Sequence, residues 1–197
     1  MVIACVLRAS KEYDAEYVRR LRDGVAKNLK EKHRFVCLSD VDVPCERIEL
    51  KHGWPVWWSK MELFRPDIGD DILYFDLDTL IVGDLKDIAS VRSLTMLSDF
   101  YQGYPASGVM YLPWFERAEV WRRWIKCPDR HRTEQGGNGD GGFLRYVFGK
   151  RPARWQDEVP GQIVSYKKDV KGNGIPENAR VICFHGRPRP RDLNWTI

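Results

Sequence analysis

No apolar stretch in this 197-residue chain approaches the roughly 18 residues that a membrane-spanning helix needs. The opening MVIACVL is apolar but short. It has neither a basic region ahead of it nor a small-residue cleavage pattern after it, so it reads as a strand rather than a signal peptide. Cysteine is scarce. Five residues, an odd number without a C-x-x-C pair, argue against a disulfide framework, and the expectation is a compact cytoplasmic domain. Charge of one sign is also in short supply: 32 Lys and Arg against 28 Asp and Glu leave +4, too little for a strong general field. Internal repeats and a clear linker are absent, which points to one domain over 1–197.

What is present argues for a packed core. The chain is 43 % hydrophobic and 12 % aromatic, which excludes intrinsic disorder. Its length suffices to bury on the order of 70 % of the unfolded surface. Trp54, Trp57, Trp58, Trp114, Trp121, Trp124, Trp155 and Trp195 are more indoles than a small core needs. The slight positive excess is concentrated: RVICFHGRPRPR (180–191) holds Arg180, Arg187, Arg189 and Arg191 without one acid. Such a segment can meet phosphate, nucleic acid or an anionic membrane surface, or can be a solvated tail.

Strands are predicted at 1–7, 34–38, 47–50, 72–76, 94–97, 108–112 and 180–184, all short and most of them apolar. Asp14 caps a predicted helix over about 15–31, whose Val18, Leu21, Val25 and Leu29 follow helical spacing. Further helices are expected at 57–64, stopped before Pro66, at 115–125, and from Asp140 to about 148. The polar, Gly-rich stretch 128–142 reads as a loop. Strands alternating with helices, several of them continuously apolar, imply an α/β fold with a mostly parallel sheet flanked by helices.

The most informative segment is ILYFDLDTLIVGDL, in which an apolar strand runs into Asp76-Leu77-Asp78. Extended alternation predicts both carboxylates on one side. Two such acids repel unless a cation lies between them or one is protonated. Hard oxygen ligands suit Mn²⁺ or Mg²⁺ with substrate phosphates completing the shell. Open α/β sheets bind ligands at the carboxyl ends of their strands, where this motif lies. The bland reading is a pair of solvated turn acids.

Taken with its context, the motif resembles the GT-A glycosyltransferases of family eight, the group of glycogenin and the bacterial lipopolysaccharide galactosyltransferases. FDLDTLIV matches the family's D-x-D strand end, and WSKMELF supplies Lys60 at the nucleotide-contacting lysine. YPASGVMYLP supplies Ser107 and Gly108 at the strand lining the sugar site. GDGGFLRYVF supplies Asp140, and FHGRPRP resembles the terminal metal- and phosphate-binding segment through His185, Gly186 and Arg189. Leu7, Ala9, Ser10 and Tyr13 match the nucleotide loop after the first strand. These matches cover nearly the whole chain in the family's order, with about 1–100 as nucleotide and metal half and about 101–197 as donor-sugar and acceptor half. Two departures stand out. Aligning the terminal segment puts Cys183 where the family has its histidine, with His185 two residues on, and Gly141 replaces the family's glutamine.

The resemblance implies a metal-dependent, retaining transfer from a nucleotide sugar, a UDP-sugar foremost, to a carbohydrate or glycoconjugate. Asp76, Asp78 and His185 would be metal ligands, with Asp76 also meeting the donor ribose. Lys60 and Arg189 would grip phosphates, and Arg187 could do the same without a family counterpart. Asp99 and Asp140 are the carboxylates nominated beside the anomeric carbon, each equally readable as a loop or helix cap. Tyr13 reads as a base-stacking ring or as an ordinary boundary aromatic. Trp57 and Trp58, one or both, can cover a pyranose face, whereas Trp121 and Trp124 lie at core spacing.

No nucleic-acid partner is expected, and peripheral contact with a membrane is left open. Three other readings remain. A metal-dependent carbohydrate-binding module would not need Lys60 and Arg189. A haloacid dehalogenase-type phosphohydrolase requires a hydroxyl residue four after the first Asp, where this chain has Leu80. A nucleic-acid binder rests on the basic tail alone and would show steep salt dependence. The length suggests a nearly minimal transferase.

Overall fold

The computed structural model describes residues 1–194; Trp195 lies outside them. The chain opens with β1 (Val2–Leu7), α1 (Ala15–Asn28), β2 (Arg34–Ser39) and β3 (Glu46–Glu49). A 3₁₀ helix, Val56–Phe64, then leads to β4 (Ile72–Phe75), β5 (Thr79–Ile81), α2 (Lys86–Ser90), β6 (Thr95–Ser98) and β7 (Pro105–Leu112). The second half contributes α3 (Trp114–Trp124), α4 (Pro128–Gln135), α5 (Gly139–Phe148), β8 (Ala153–Arg154), α6 (Trp155–Glu158), β9 (Ile163–Ser165) and β10 (Val181–Cys183).

Seven strands form the central sheet in the order β3-β2-β1-β4-β7-β6-β8. β1 pairs in parallel with β2 and β4, β2 with β3, and β6 with β8. β7 runs antiparallel between β4 and β6, so the sheet is mostly parallel with one reversed strand. A second sheet, β5-β10-β9, holds the last strand apart from the main one, and the basic segment follows it.

Alternation along β1 explains how both faces are covered. Val2, Ala4 and Val6 join the cluster under the 3₁₀ helix, α3 and α5, while Ile3, Cys5 and Leu7 join the one under α1. Every residue of β1 is buried, as a strand covered on two faces requires. Asp14 caps α1 by accepting from the Glu16 N–H at 3.0 Å. The indoles divide early: Trp58 stacks on Trp124 at 5.3 Å, and Trp54 meets Trp124 edge-on at 5.2 Å. Among the described residues, no helix is long and apolar enough to cross a membrane.

The stretch 128–142 is not a loop. It forms α4, a short 3₁₀ turn at Gly136–Asn138, and the start of α5. Helical periodicity was invisible there because α4 buries no residue outright; ion pairs Arg130–Glu134 and Arg132–Asp129 stabilise a helix that is polar nearly all round. Nor does Asp140 cap α5. Asn138 holds the cap position, and Asp140 lies in the first turn with its carboxylate turned inward.

Candidate active site

The carboxyl ends of β1 and β4, the loop 8–13, the start of the 3₁₀ helix, the 137–140 turn and the segment 183–189 surround one cleft of about 920 Å³. Its floor is the D-x-D segment, though not by the alternation expected. β4 ends at Phe75, and Asp76 to Thr79 form a turn closed by the Thr79 N–H on the Asp76 carbonyl at 3.1 Å. That turn sends Leu77 into the core and leaves both carboxylates on the cleft.

Asp76 and Asp78 have separate partners. Lys60 Nζ lies 3.1 Å from Asp76 Oδ1, 3.2 Å from Asp140 Oδ2 and 3.2 Å from Ser107 Oγ. One ammonium therefore ties the 3₁₀ helix to β7, α5 and the end of β4. Tyr74, one turn of the strand earlier, donates its hydroxyl to the same Asp76 oxygen. Burial lowers the affinity of Lys60 for its proton, but the charges of Asp140 and Asp76 outweigh this and hold the ammonium above its ordinary range. Gly108 makes the close approach feasible: a Cβ there would stand 3.2 Å from Leu97 and 3.6 Å from Asp76 Oδ2.

Asp78 accepts from the Tyr13 hydroxyl at 3.0 Å and from the Arg189 guanidinium. Burial, then the neighbouring Asp76 charge, pushes its carboxyl up to about 7. Tyr13 is raised in turn, by burial and then by Asp78. Its ring is packed as well as wall-forming, with the Arg189 guanidinium 5.1 Å over it and Tyr17 4.9 Å away.

Most residues singled out from the sequence line this cleft: Ala9, Ser10, Tyr13, Lys60, Asp76, Asp78, Asp99, Ser107, Gly108, Asp140, His185, Gly186 and Arg189. Two do not. Leu7 has the parity of the α1 side of the sheet and turns into the core, while Val6 and Arg8 reach the cleft. Arg187 is exposed and pairs with Glu12 at 2.9 Å, outside the wall. Asp99 lines the cleft with its Oδ1 accepting from the N–H groups of Tyr101 and Gln102, at 3.0 and 2.7 Å. His185 Nε2 lies 2.7 Å from Ser165 Oγ, and its ring stacks on Phe100 at 5.5 Å. Burial, then the Lys167 ammonium, lowers its affinity for a proton. Among the described residues, no three His, Cys, Asp or Glu side chains gather as a metal site.

Several contributors escaped the sequence reading. Glu62 is fully buried and accepts from the N–H groups of Lys51 and His52, at 2.7 and 2.9 Å, and from Arg65 at 2.7 Å. It thereby fixes the chain that leads into Gly53 and Pro55 on the cleft wall. Its signal was a lone acid inside the apolar WWSKMELF. Arg8 lines the cleft and pairs with Asp40 at 3.1 Å, and Asp40 also accepts from the Ala9 N–H at 2.9 Å. Lys167 lies beside Gly186, its Nζ 3.2 Å from where a Cβ of that residue would stand.

No protein-family model matches this sequence, and no curated protein matches it either. Solved structures do. The galactosyltransferase LgtC in complex with donor and acceptor sugar analogues superposes with a TM-score of 0.68 at 12 % identity, over 96 % of this chain and 89 % of that one. The glycosyltransferase GlyE of Streptococcus pneumoniae TIGR4 gives 0.72 at 14 % identity, over 98 % of this chain and 59 % of its own. The bifunctional glycosyltransferase WbbM gives 0.64 at 11 % identity, this chain spanning 46 % of its length. The chain thus has the GT-A fold of these glycosyltransferases.

Proposed function

We propose that this chain is a metal-dependent glycosyltransferase. It would move a sugar from a nucleoside diphosphate sugar, a UDP-sugar foremost, to a hydroxyl of a carbohydrate or glycoconjugate with retention of anomeric configuration. The observation that carries the reading is the charge pattern of the cleft floor. Two carboxylates at a strand end share one cavity with a buried lysine and a guanidinium, Lys60 and Arg189. A module that only binds sugar has no use for those two cations.

Lys60 and Arg189 suit phosphate oxygens, to which each would donate charge-assisted hydrogen bonds. Two hard carboxylates suit one divalent cation whose remaining positions go to water and substrate phosphates. The raised proton affinity of Asp78 supports the fit, since a cation would relieve the cost of its buried negative charge. Asp76 and Asp78 would hold Mn²⁺ or Mg²⁺, which when bound acts as a Lewis acid on the leaving diphosphate. In the transfer, the acceptor oxygen bonds to the anomeric carbon as the bond to the diphosphate oxygen breaks. The hydroxyl proton passes to the departing phosphate. Asp140, ion-paired to Lys60, and Asp99, half tied up in its turn, are the carboxylates nearest to that event in this reading.

The test is a panel of nucleoside diphosphate sugars incubated with the protein and Mn²⁺. Slow release of free nucleoside diphosphate from one or a few donors is the expected result. Binding of free sugars with no binding of any nucleotide would reject the transferase reading.

A further inference from the structure

The cleft has an order that its contacts define. Arg189 holds Asp78 at one end; Lys60 joins Asp76 to Asp140 in the middle; Gly139, next in the chain, abuts the indole of Trp57. If the cationic end takes the diphosphate, the donor sugar falls over Asp76, Ser107 and Asp140, and Trp57 lies one step beyond it. We propose that Trp57 is the platform for the acceptor, and that the acceptor therefore presents a pyranose ring. This rests on the glycosyltransferase reading above.

The two indoles that the sequence could not separate have opposite fates. Trp58 is 6 % exposed and stacked in the core, whereas Trp57 is 45 % exposed on the cleft wall. Solvent normally drives so large an apolar surface inward, and here three features hold it out. Val56 adopts a left-handed φ of +50°, a strained conformation for a β-branched residue. The Ser59 hydroxyl fastens that turn by donating to the Val56 carbonyl at 2.7 Å, and the Trp58 N–H does so on Pro55 at 3.0 Å. Gly139, at φ +59°, gives the indole its seat: a Cβ there would stand 2.7 Å from Trp57 Cδ1 and Nε1. Local strain held by specific contacts at a cleft is the usual mark of a functional position.

The chemistry of the wall selects the ligand. Val56, itself 61 % exposed, and Trp57 present apolar surface, while Asn138 on the adjoining turn adds an amide-bearing residue to the lining of the same cleft. A pyranose has this dual character, with a face of C–H groups and an edge of hydroxyls. An alkyl alcohol would use the indole but not the amide.

The experiment uses the Mn²⁺-loaded chain, the donor that the panel identifies, and methyl glucoside, methyl galactoside and methyl N-acetylglucosaminide as acceptor probes. Wild type, Trp57→Ala and Trp57→Phe are compared, with thermal melting as the check on folding. Trp57→Ala is expected to raise the acceptor KM about tenfold, with Trp57→Phe recovering most of the loss. Donor affinity by calorimetry and acceptor-independent nucleotide release should stay within about twofold of wild type. Saturation-transfer NMR should show the glycoside C–H face losing contact in Trp57→Ala. An unchanged acceptor KM in Trp57→Ala, or a wild type that cleaves donor but neither binds nor glycosylates any glycoside, would overturn the inference while leaving the transferase reading intact. Failure to bind or cleave any donor would overturn both.

Discussion

Removing the ammonium of Lys60 is the sharpest perturbation of this site. Its side chain is 11 % exposed and stands within 3.2 Å of oxygens on Asp76, Asp140 and Ser107. Lys60→Met keeps most of the apolar stem and leaves two carboxylates facing one another. Breaking a buried pair costs about 3–5 kcal/mol. Asp76 is 30 % exposed and keeps some hydration, so the lower end, about 3 kcal/mol, is expected. For a chain of this size each kcal/mol moves the melting temperature by about 2–4 °C, so the variant should melt roughly 6–12 °C below wild type at pH 7. The pH dependence has a definite sign. Burial already raises Asp76, and Lys60 is the charge that opposes that rise. Without it the folded state binds a proton more tightly than the unfolded chain. The penalty is then full above the folded-state pKa and fades as pH falls toward the unfolded value. Scanning calorimetry from pH 7 to pH 5 should show the deficit shrinking, and Lys60→Met with Asp140→Asn should recover part of it at pH 7. A variant melting within about 2 °C of wild type at pH 7, or a deficit that grows on acidification, would refute this account.

Three further outcomes follow from the same geometry. Asp78→Ala should abolish Mn²⁺-dependent donor binding in calorimetry; unchanged binding would remove Asp78 from the cation site. Lys167 has no hydrogen bond or ion pair among the described residues, so Lys167→Met should leave thermal stability unchanged. It should also weaken UDP binding about threefold to tenfold at low salt without affecting uridine. In an NMR titration the same variant should raise the proton affinity of His185 only in part, because burial is the larger cause of its depression. Gly139→Ala should cost about 1–3 kcal/mol in denaturant unfolding, since it combines a left-handed φ with a Cβ driven into the Trp57 indole. It should also impair transfer to glycosides.

The α/β architecture was legible because β1 and β4 are short and wholly apolar between polar punctuation, and because α1 carries a clean helical stripe behind Asp14. The two acids of the D-x-D turn could be named because charge stands out against apolar neighbours, and Lys60 could be named through the family resemblance. The fate of 128–142 was hidden, since a polar helix has no periodicity to read and its ion pairs look like ordinary surface charge. Arg8, Glu62 and Lys167 were hidden for a related reason. Arg8 acts through Asp40, 32 residues on, and Lys167 comes beside Gly186 from a separate element, while Glu62 acts through the backbone N–H groups of Lys51 and His52, a loop contact that no local pattern encodes.

The sequence by itself determined the layering and the chemistry available at one strand end: which residues alternate into which core, and that two carboxylates follow β4. Tertiary structure alone decided how those acids are compensated. A turn, rather than extended alternation, brought Asp76 and Asp78 onto the same cleft, and Lys60 and Arg189 came to them across 16 and 111 residues. It also separated Trp57 from Trp58, adjacent in the chain and alike in composition. Burying one indole on Trp124 and propping the other against Gly139 are long-range packing events, and no local pattern encodes which neighbour a side chain will meet.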